Sequence, residues 1–200
     1  IICVLICGLS VLLLAYVLNS SSVILFYLVI IVLSWSYSTR PLQFSYHRLG
    51  EIFIFLLFGP ALVMGGYFIQ TKIFPDLRSL LVSLPFGFFT TAILFANEVP
   101  DFNDDIKAQK FTWVSITGRQ RAYLLYCLLS ALGFLSILIN VLEGNFRPWT
   151  LVSFLFIFLS AKAAGILKNY SCDKIRLVES SKLTIALQGL VSLVLIPGVI

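Results

Sequence analysis

Charge is what this chain has least of: 12% of its residues are Asp, Glu, Lys or Arg, against 60% hydrophobic, and its mean hydropathy is +1.01. That composition excludes an ordinary soluble domain and points to a membrane protein. Also missing is the alternation of polar and apolar residues that a membrane β-barrel needs in strands of about ten residues. The block at 52–69, IFIFLLFGPALVMGGYFI, does not alternate. The four cysteines, Cys3, Cys7, Cys127 and Cys172, form no C-x-x-C pair. Neither a disulfide framework nor a zinc site is indicated, and they read as small apolar helix residues. No basic region precedes the first apolar run and no small-residue cleavage site follows it, which argues against a cleaved signal peptide. The chain opens without Met inside one apolar run and stops at Ile200 inside another. It is therefore expected to be an N-terminally truncated piece of a longer protein, with processing to Ile1 as the alternative.

What is present is a repeated block of roughly 20 apolar residues, the length that crosses about 30 Å of hydrocarbon as a helix. Seven such spans are predicted, near 2–18, 22–38, 50–71, 78–99, 121–142, 147–167 and 182–200. The expected fold is all-α, a polytopic membrane helical bundle forming one membrane domain over 1–200. One set of loops holds Arg40, Arg48, Lys107, Lys110, Arg119, Arg121, Lys168, Lys174, Arg176 and Lys182, while the opposite set holds Lys72, Arg78 and Arg147. The positive-inside rule makes the richer side cytoplasmic. The net charge of +5 follows from this bias. Anionic membrane lipid accounts for it, and no nucleic-acid partner is expected.

Only nine acidic residues exist, yet Glu98, Asp101, Asp104 and Asp105 fall together at the end of the fourth span, in a predicted cytoplasmic loop at 98–121. Pro100 marks a helix start or a kink. On a helix, Asp101 and Asp105 stand one turn apart on one face, about 6 Å from each other. Carboxylates so close to lipid repel one another and recruit protons or cations. Mg²⁺, which favours one or two carboxylates together with substrate phosphates, would resolve that conflict. Lys107, Lys110, Arg119 and Arg121 follow on the same loop and suit phosphate oxygens. A solvated loop whose acids and bases pair with each other has the same spacing, and spacing alone does not separate the two.

The stretch 97–119, NEVPDFNDDIKAQKFTWVSITGR, resembles the second aspartate motif of UbiA-type intramembrane prenyltransferases, N-E-x-P-D-x-x-x-D-x-x-x-G-K-x-T followed by L-G-R. Asn97, Glu98, Pro100, Asp101, Asp105, Lys110, Thr112, Gly118 and Arg119 are in register. A second block at 37–51, YSTRPLQFSYHRLGE, with Phe58-Gly-Pro60 after it, is similar to the family's Y-S-x-x-P-L-x-x-S-Y-x-x-L-G-E and F-G-P. The resemblance runs from about Trp35 to Arg121. It implies a nine-helix fold around a cavity, of which these seven would be the third to ninth. The family's first motif, N-D-x-x-D-x-x-x-D, is absent from the 200 residues. Within the match Gln109 replaces a usual Gly, Phe111 a usual basic residue and Arg40 a common Pro.

The implied activity is Mg²⁺-dependent transfer of a polyprenyl group from a polyprenyl diphosphate to an aromatic quinone precursor, and the pattern is similar to the dihydroxynaphthoate branch of menaquinone synthesis. Asp101 and Asp105 are then the catalytic, metal-holding pair, with Asn97 and Glu98 as further metal candidates. Lys110, Tyr37, Arg40, Arg119 and Lys162 are the substrate-binding candidates, Lys162 either reaching the cavity or snorkelling to the interface. The competing classes are a non-catalytic transporter or scaffold with a cation site, and another membrane transferase of lipid-linked substrates. The CDP-alcohol type of the latter carries D-G-x-x-A-R, which this sequence lacks.

Overall fold

The computed structural model describes residues 2–171 and 173–200; Ile1 and Cys172, the latter one of the four cysteines read as small helix residues, lie outside the described residues. All seven apolar blocks are helical. Five helices are long and apolar enough to cross a membrane: Gly50–Thr71, Leu77–Lys107, Ala122–Leu142, Pro148–Asn169 and Lys174–Gly198. The first two, α1 (Ile2–Val17) and α2 (Ser22–Ser38), have 16 and 17 residues. At 1.5 Å per residue they reach about 25 Å, a little short of the hydrocarbon thickness. The chain is thus an all-α polytopic bundle. Extended pairing among the described residues amounts to two isolated bridges, one of them between His47 and Phe111.

The block at 50–71 is one rod in two pieces. The segments α3 (Gly50–Leu56) and α4 (Leu62–Thr71) are joined by a wide π turn, Leu57–Ala61, with Pro60 inside it. Proline lacks the N–H that an α-helix would use there, and the wider turn absorbs the missing bond.

Two boundaries differ from the sequence reading. The fourth span, expected to end at 99, continues as α5 (Leu77–Lys107) straight through Pro85 and Pro100. Its 31 residues make a rod of about 46 Å, longer than the hydrocarbon is thick, so the last turns carry the acidic residues out to the lipid boundary. After α6 (Trp113–Thr117) and α7 (Ala122–Leu142), a 3-10 stretch, Pro148–Phe156, leads into α8 (Ile157–Asn169). The last helix, α9 (Lys174–Leu195), begins eight residues before the expected 182. Asp173 causes the early start: its carboxylate accepts the N–H groups of Ile175 and Arg176 at 3.1 and 3.2 Å, an N-cap that converts an expected basic loop into helix.

α5 is the central element, packed against α3, α4, α7 and α9. Lipid tails are as apolar as leucine, so close approach rather than escape from water holds such helices together. Small residues make the approach possible: Ala92 and Ala96 on α5, Ala122 on α7 and Ala163 on α8 are buried in one cluster around Phe95 and Tyr126. A second cluster, toward the other end, gathers Phe89, Phe134 and Ile137 with Leu187 and Leu195. Leu124, Leu128, Leu135 and Leu142 of α7 remain exposed, a stripe suited to hydrocarbon.

α5 meets the π turn closely at Gly59 on Gly87, where a Cβ on Gly59 would lie 2.9 Å from the Gly87 Cα, and one on Gly87 would lie 2.9 Å from the Phe55 ring. Gly87→Leu is therefore expected to destabilise the bundle by about 1–3 kcal/mol. Gly65→Leu, where a Cβ meets nothing within 4 Å, is the matched control. Thermal unfolding in detergent checks the pair; equal midpoints would contradict the crossing.

Candidate functional site

At 100° per residue the acids at the end of α5 divide into two edges of one face. Asn97, Asp101 and Asp104 fall within about 60° of one another, and Glu98 and Asp105 within about 20°. The first edge is exposed. On the second, Glu98 is 4% exposed and the Asp105 side chain 16%. Segment 98–121, expected as a loop, is therefore mostly helix: the last turns of α5, a tight reversal, and α6.

Each aspartate has a lysine partner. Lys110 Nζ lies 3.1 Å from Asp105 Oδ2. It also faces Glu98. Lys174, the first residue of α9, bridges Asp101 at 3.1 Å and Asp104 at 2.9 Å. The Asp101 side chain is 54% exposed, so this bridge is open to water while the Lys110–Asp105 pair is largely covered.

The second motif block closes on the first. Arg48 N–H donates to Phe111 O at 2.8 Å, and Phe111 N–H to Tyr46 O at 3.0 Å. The Trp113 indole donates to Arg48 O at 3.1 Å, and its main-chain N–H donates to Glu51 Oε1. Glu51, at the start of α3, is 1% exposed. Its carboxyl adjoins that of Glu98, and the Oε2 atom of each is buried without a hydrogen-bond donor. Tyr37 stands beside both. Among the described residues no group of three or more His, Cys, Asp or Glu side chains forms a ready-made metal cage.

The backbone accounts for two departures from the family pattern. Gln109 has φ +55°, the left-handed conformation in which α5 ends and which glycine adopts without strain. Phe111, standing where a basic residue is usual, lies under the Arg48 guanidinium, 5.8 Å from its ring centre, so positive charge still reaches that point. Gly118, φ +73°, closes α6 and turns the chain into Arg119.

The UbiA prenyltransferase family model matches residues 1–178, and the chain belongs to that family. The 1,4-dihydroxy-2-naphthoate octaprenyltransferase of Bacillus subtilis is 30% identical over 166 residues, 81% of this chain and 53% of that protein. The Mycobacterium tuberculosis protein of the same name is 28% identical over 137 residues, 68% of this chain and 45% of that protein. Human UbiA prenyltransferase domain-containing protein 1 is 35% identical over 100 residues, covering 48% of this chain and 28% of its own length. The chain thus spans about half or less of the length of these relatives. No solved structure matches it.

Of the residues singled out from the sequence, the structure brings together Asp101, Asp105, Glu98, Lys110 and Tyr37. Asn97 shares the exposed edge, one turn before Asp101. Arg119 lies on the far side of Phe102, 6.0 Å from its ring centre, with its Nε buried and unpartnered. Arg40 and Lys162 are exposed and form no ion pair with the acids. Sequence reasoning gave no role to Glu51, Trp113 or Lys174. A carboxylate opening an otherwise apolar block was the available signal for Glu51. Asp173 as an N-cap was the signal that Lys174 starts a helix.

Two outcomes follow. Glu51→Ala should cost about 1–3 kcal/mol, because the Trp113 N–H loses its acceptor, and should speed tryptic cleavage after Lys110 and Arg119, whereas Glu51→Gln keeps an acceptor and most of the stability. Gln109→Gly should raise the unfolding midpoint, relieving left-handed strain of about 1 kcal/mol; an unchanged or lower midpoint would argue against it.

Proposed function

We propose that the protein containing this chain transfers a polyprenyl group from a polyprenyl diphosphate to an aromatic quinone precursor, with Mg²⁺ held at the end of α5 on the cytoplasmic side. The observation that carries this reading is the carboxylate face of Glu98, Asp101 and Asp105, with lysines already paired to it, in a chain of the UbiA prenyltransferase family. The names of the Bacillus and Mycobacterium relatives support a dihydroxynaphthoate-type acceptor. The cytoplasmic side is supported by Arg40, Arg48, Lys107, Lys110, Arg119 and Arg121, which all flank the helix ends around the acids.

The residues fit the metal. Hard carboxylate oxygens are its preferred donors, and Glu51 Oε2 and Glu98 Oε2 are buried without partners. Mg²⁺ keeps several waters and shares its shell with substrate phosphate, so one or two carboxylates suffice to hold it. Asp101 and Asp105 would hold it, with Glu98 and Asn97 beside them. When bound, the ion supplies Lewis-acid neutralisation of the diphosphate leaving group.

The chain's own groups do the rest. Lys110 stands in the acid face with its ammonium directed at Asp105 and Glu98, ready to bind phosphate oxygens. Glu51, through Trp113, fixes the reversal that carries Lys110. Tyr37 brings a hydroxyl to the inner edge of the same face. Arg119, unpartnered at Nε, supplies a further guanidinium over the Phe102 ring.

Asp101→Asn and Asp105→Asn in the full-length protein should each reduce prenyl transfer by at least about a hundredfold, with the protein still folded. The check is incorporation of labelled prenyl group into acceptor by membranes, with and without Mg²⁺. Undiminished turnover in both variants would refute the assignment.

A further inference from the structure

Lys174 has no reason of its own to stand where it does. A lysine in the first turn of a helix faces the positive end of the helix dipole, an unfavourable position that α9 could avoid with any neutral residue. The compensation lies on another helix, in the carboxylates of Asp101 at 3.1 Å and Asp104 at 2.9 Å. These two acids stand on the exposed edge of the α5 face, and Lys174 itself is 56% exposed, so the bridge is screened and exchangeable. The buried edge is different, since Asp105 has its own lysine from five residues downstream and does not need α9.

We propose that Lys174 is a diphosphate-binding residue of this site, parked on Asp101 and Asp104 in the free protein and turned to the phosphate oxygens when a divalent cation takes the Asp101 carboxylate. The inference rests on the reading of the site as a metal–diphosphate clamp. Its physical basis is a count of donors and charges. An ammonium has three N–H donors, and the two carboxylates use two of them. Losing Asp101 to a cation frees a second donor while Asp104, which faces Lys174 and Lys107 and not the buried edge, keeps the ammonium in place. Asp104 is thus the tether, and it lies one residue before the metal-holding Asp105 without belonging to the buried edge. Charge leads to the same conclusion. Asp101, Asp104 and Asp105 put three carboxylates on this face, so a diphosphate entering it gains from each nearby cation that turns toward it.

The consequence is a pair of effects opposite in sign. In the full-length protein in lipid nanodiscs, Lys174→Met should bind Mn²⁺ alone about two- to fivefold more tightly, because a competitor for Asp101 is gone. The same variant, with Mn²⁺ saturating, should bind inorganic diphosphate about tenfold more weakly, because a charge-assisted hydrogen bond is lost. Lys174→Arg, which keeps the cation, should restore diphosphate binding to near the wild-type value. Isothermal titration reads both affinities without turnover. Diphosphate affinity unchanged in Lys174→Met overturns the proposal, and so does a parallel weakening of Mn²⁺ and diphosphate that Lys174→Arg fails to rescue. If the affinities shift as expected but the wild-type protein transfers no prenyl group, the transferase reading fails and the clamp survives. If transfer is Mg²⁺-dependent but Lys174→Met binds like wild type, the clamp's extra lysine is refuted alone.

Discussion

Carboxylates that end a membrane helix must be answered by cations or hydrogen-bond donors close at hand, because hydrocarbon offers neither and the interface offers little water. That constraint organises one whole end of this protein. Asp105 is answered by Lys110, Asp101 and Asp104 by Lys174, and Glu51 by the Trp113 N–H, so the reversal before α6 and the start of α9 are pinned to the last turns of α5, and α3 is pinned to α6. Only Glu51 Oε2 and Glu98 Oε2 among these acids are buried with nothing to accept from.

The fold was legible to the extent that hydropathy is a local property. Seven apolar blocks became seven helical rods, because each block alone satisfies its backbone hydrogen bonds in lipid. Boundaries were legible only where polarity changes sharply. At the end of α5 it does not: Pro100 suggested a fresh start or a kink, yet the helix runs through it into acidic turns that an ion pair from 70 residues away helps to hold, which no local pattern encodes. The start of α9 was misplaced for the opposite reason. Basic residues there looked like loop, while a single aspartate cap decides for helix.

The site divides along the same line. Asp101, Asp105 and Lys110 were readable from spacing, since i, i+4 geometry and a reversal of a few residues are short-range facts. Glu51 and Lys174 were not, because what they do is set by partners 62 and 70 residues away. The departures from the family pattern were visible as letters but not as physics. Gln109 carries a conformation made for glycine, and Phe111 borrows its charge from Arg48 across the reversal. In both places the backbone path is retained and the side chains adapt to it.

The two edges of the acid face also differ in what they can exchange. On the inner edge the Lys110–Asp105 pair is shielded, and breaking it without a replacement partner would leave a covered charge. On the outer edge the pairs of Lys174 are half exposed and weak enough to be displaced by a multivalent ion. One helix face therefore offers both firm and exchangeable contacts. The firm ones hold the geometry while the labile ones trade partners. Membership of one helix face in two environments supplies that division from a single turn-and-a-half of sequence, with α9 arriving only to lend its first residue.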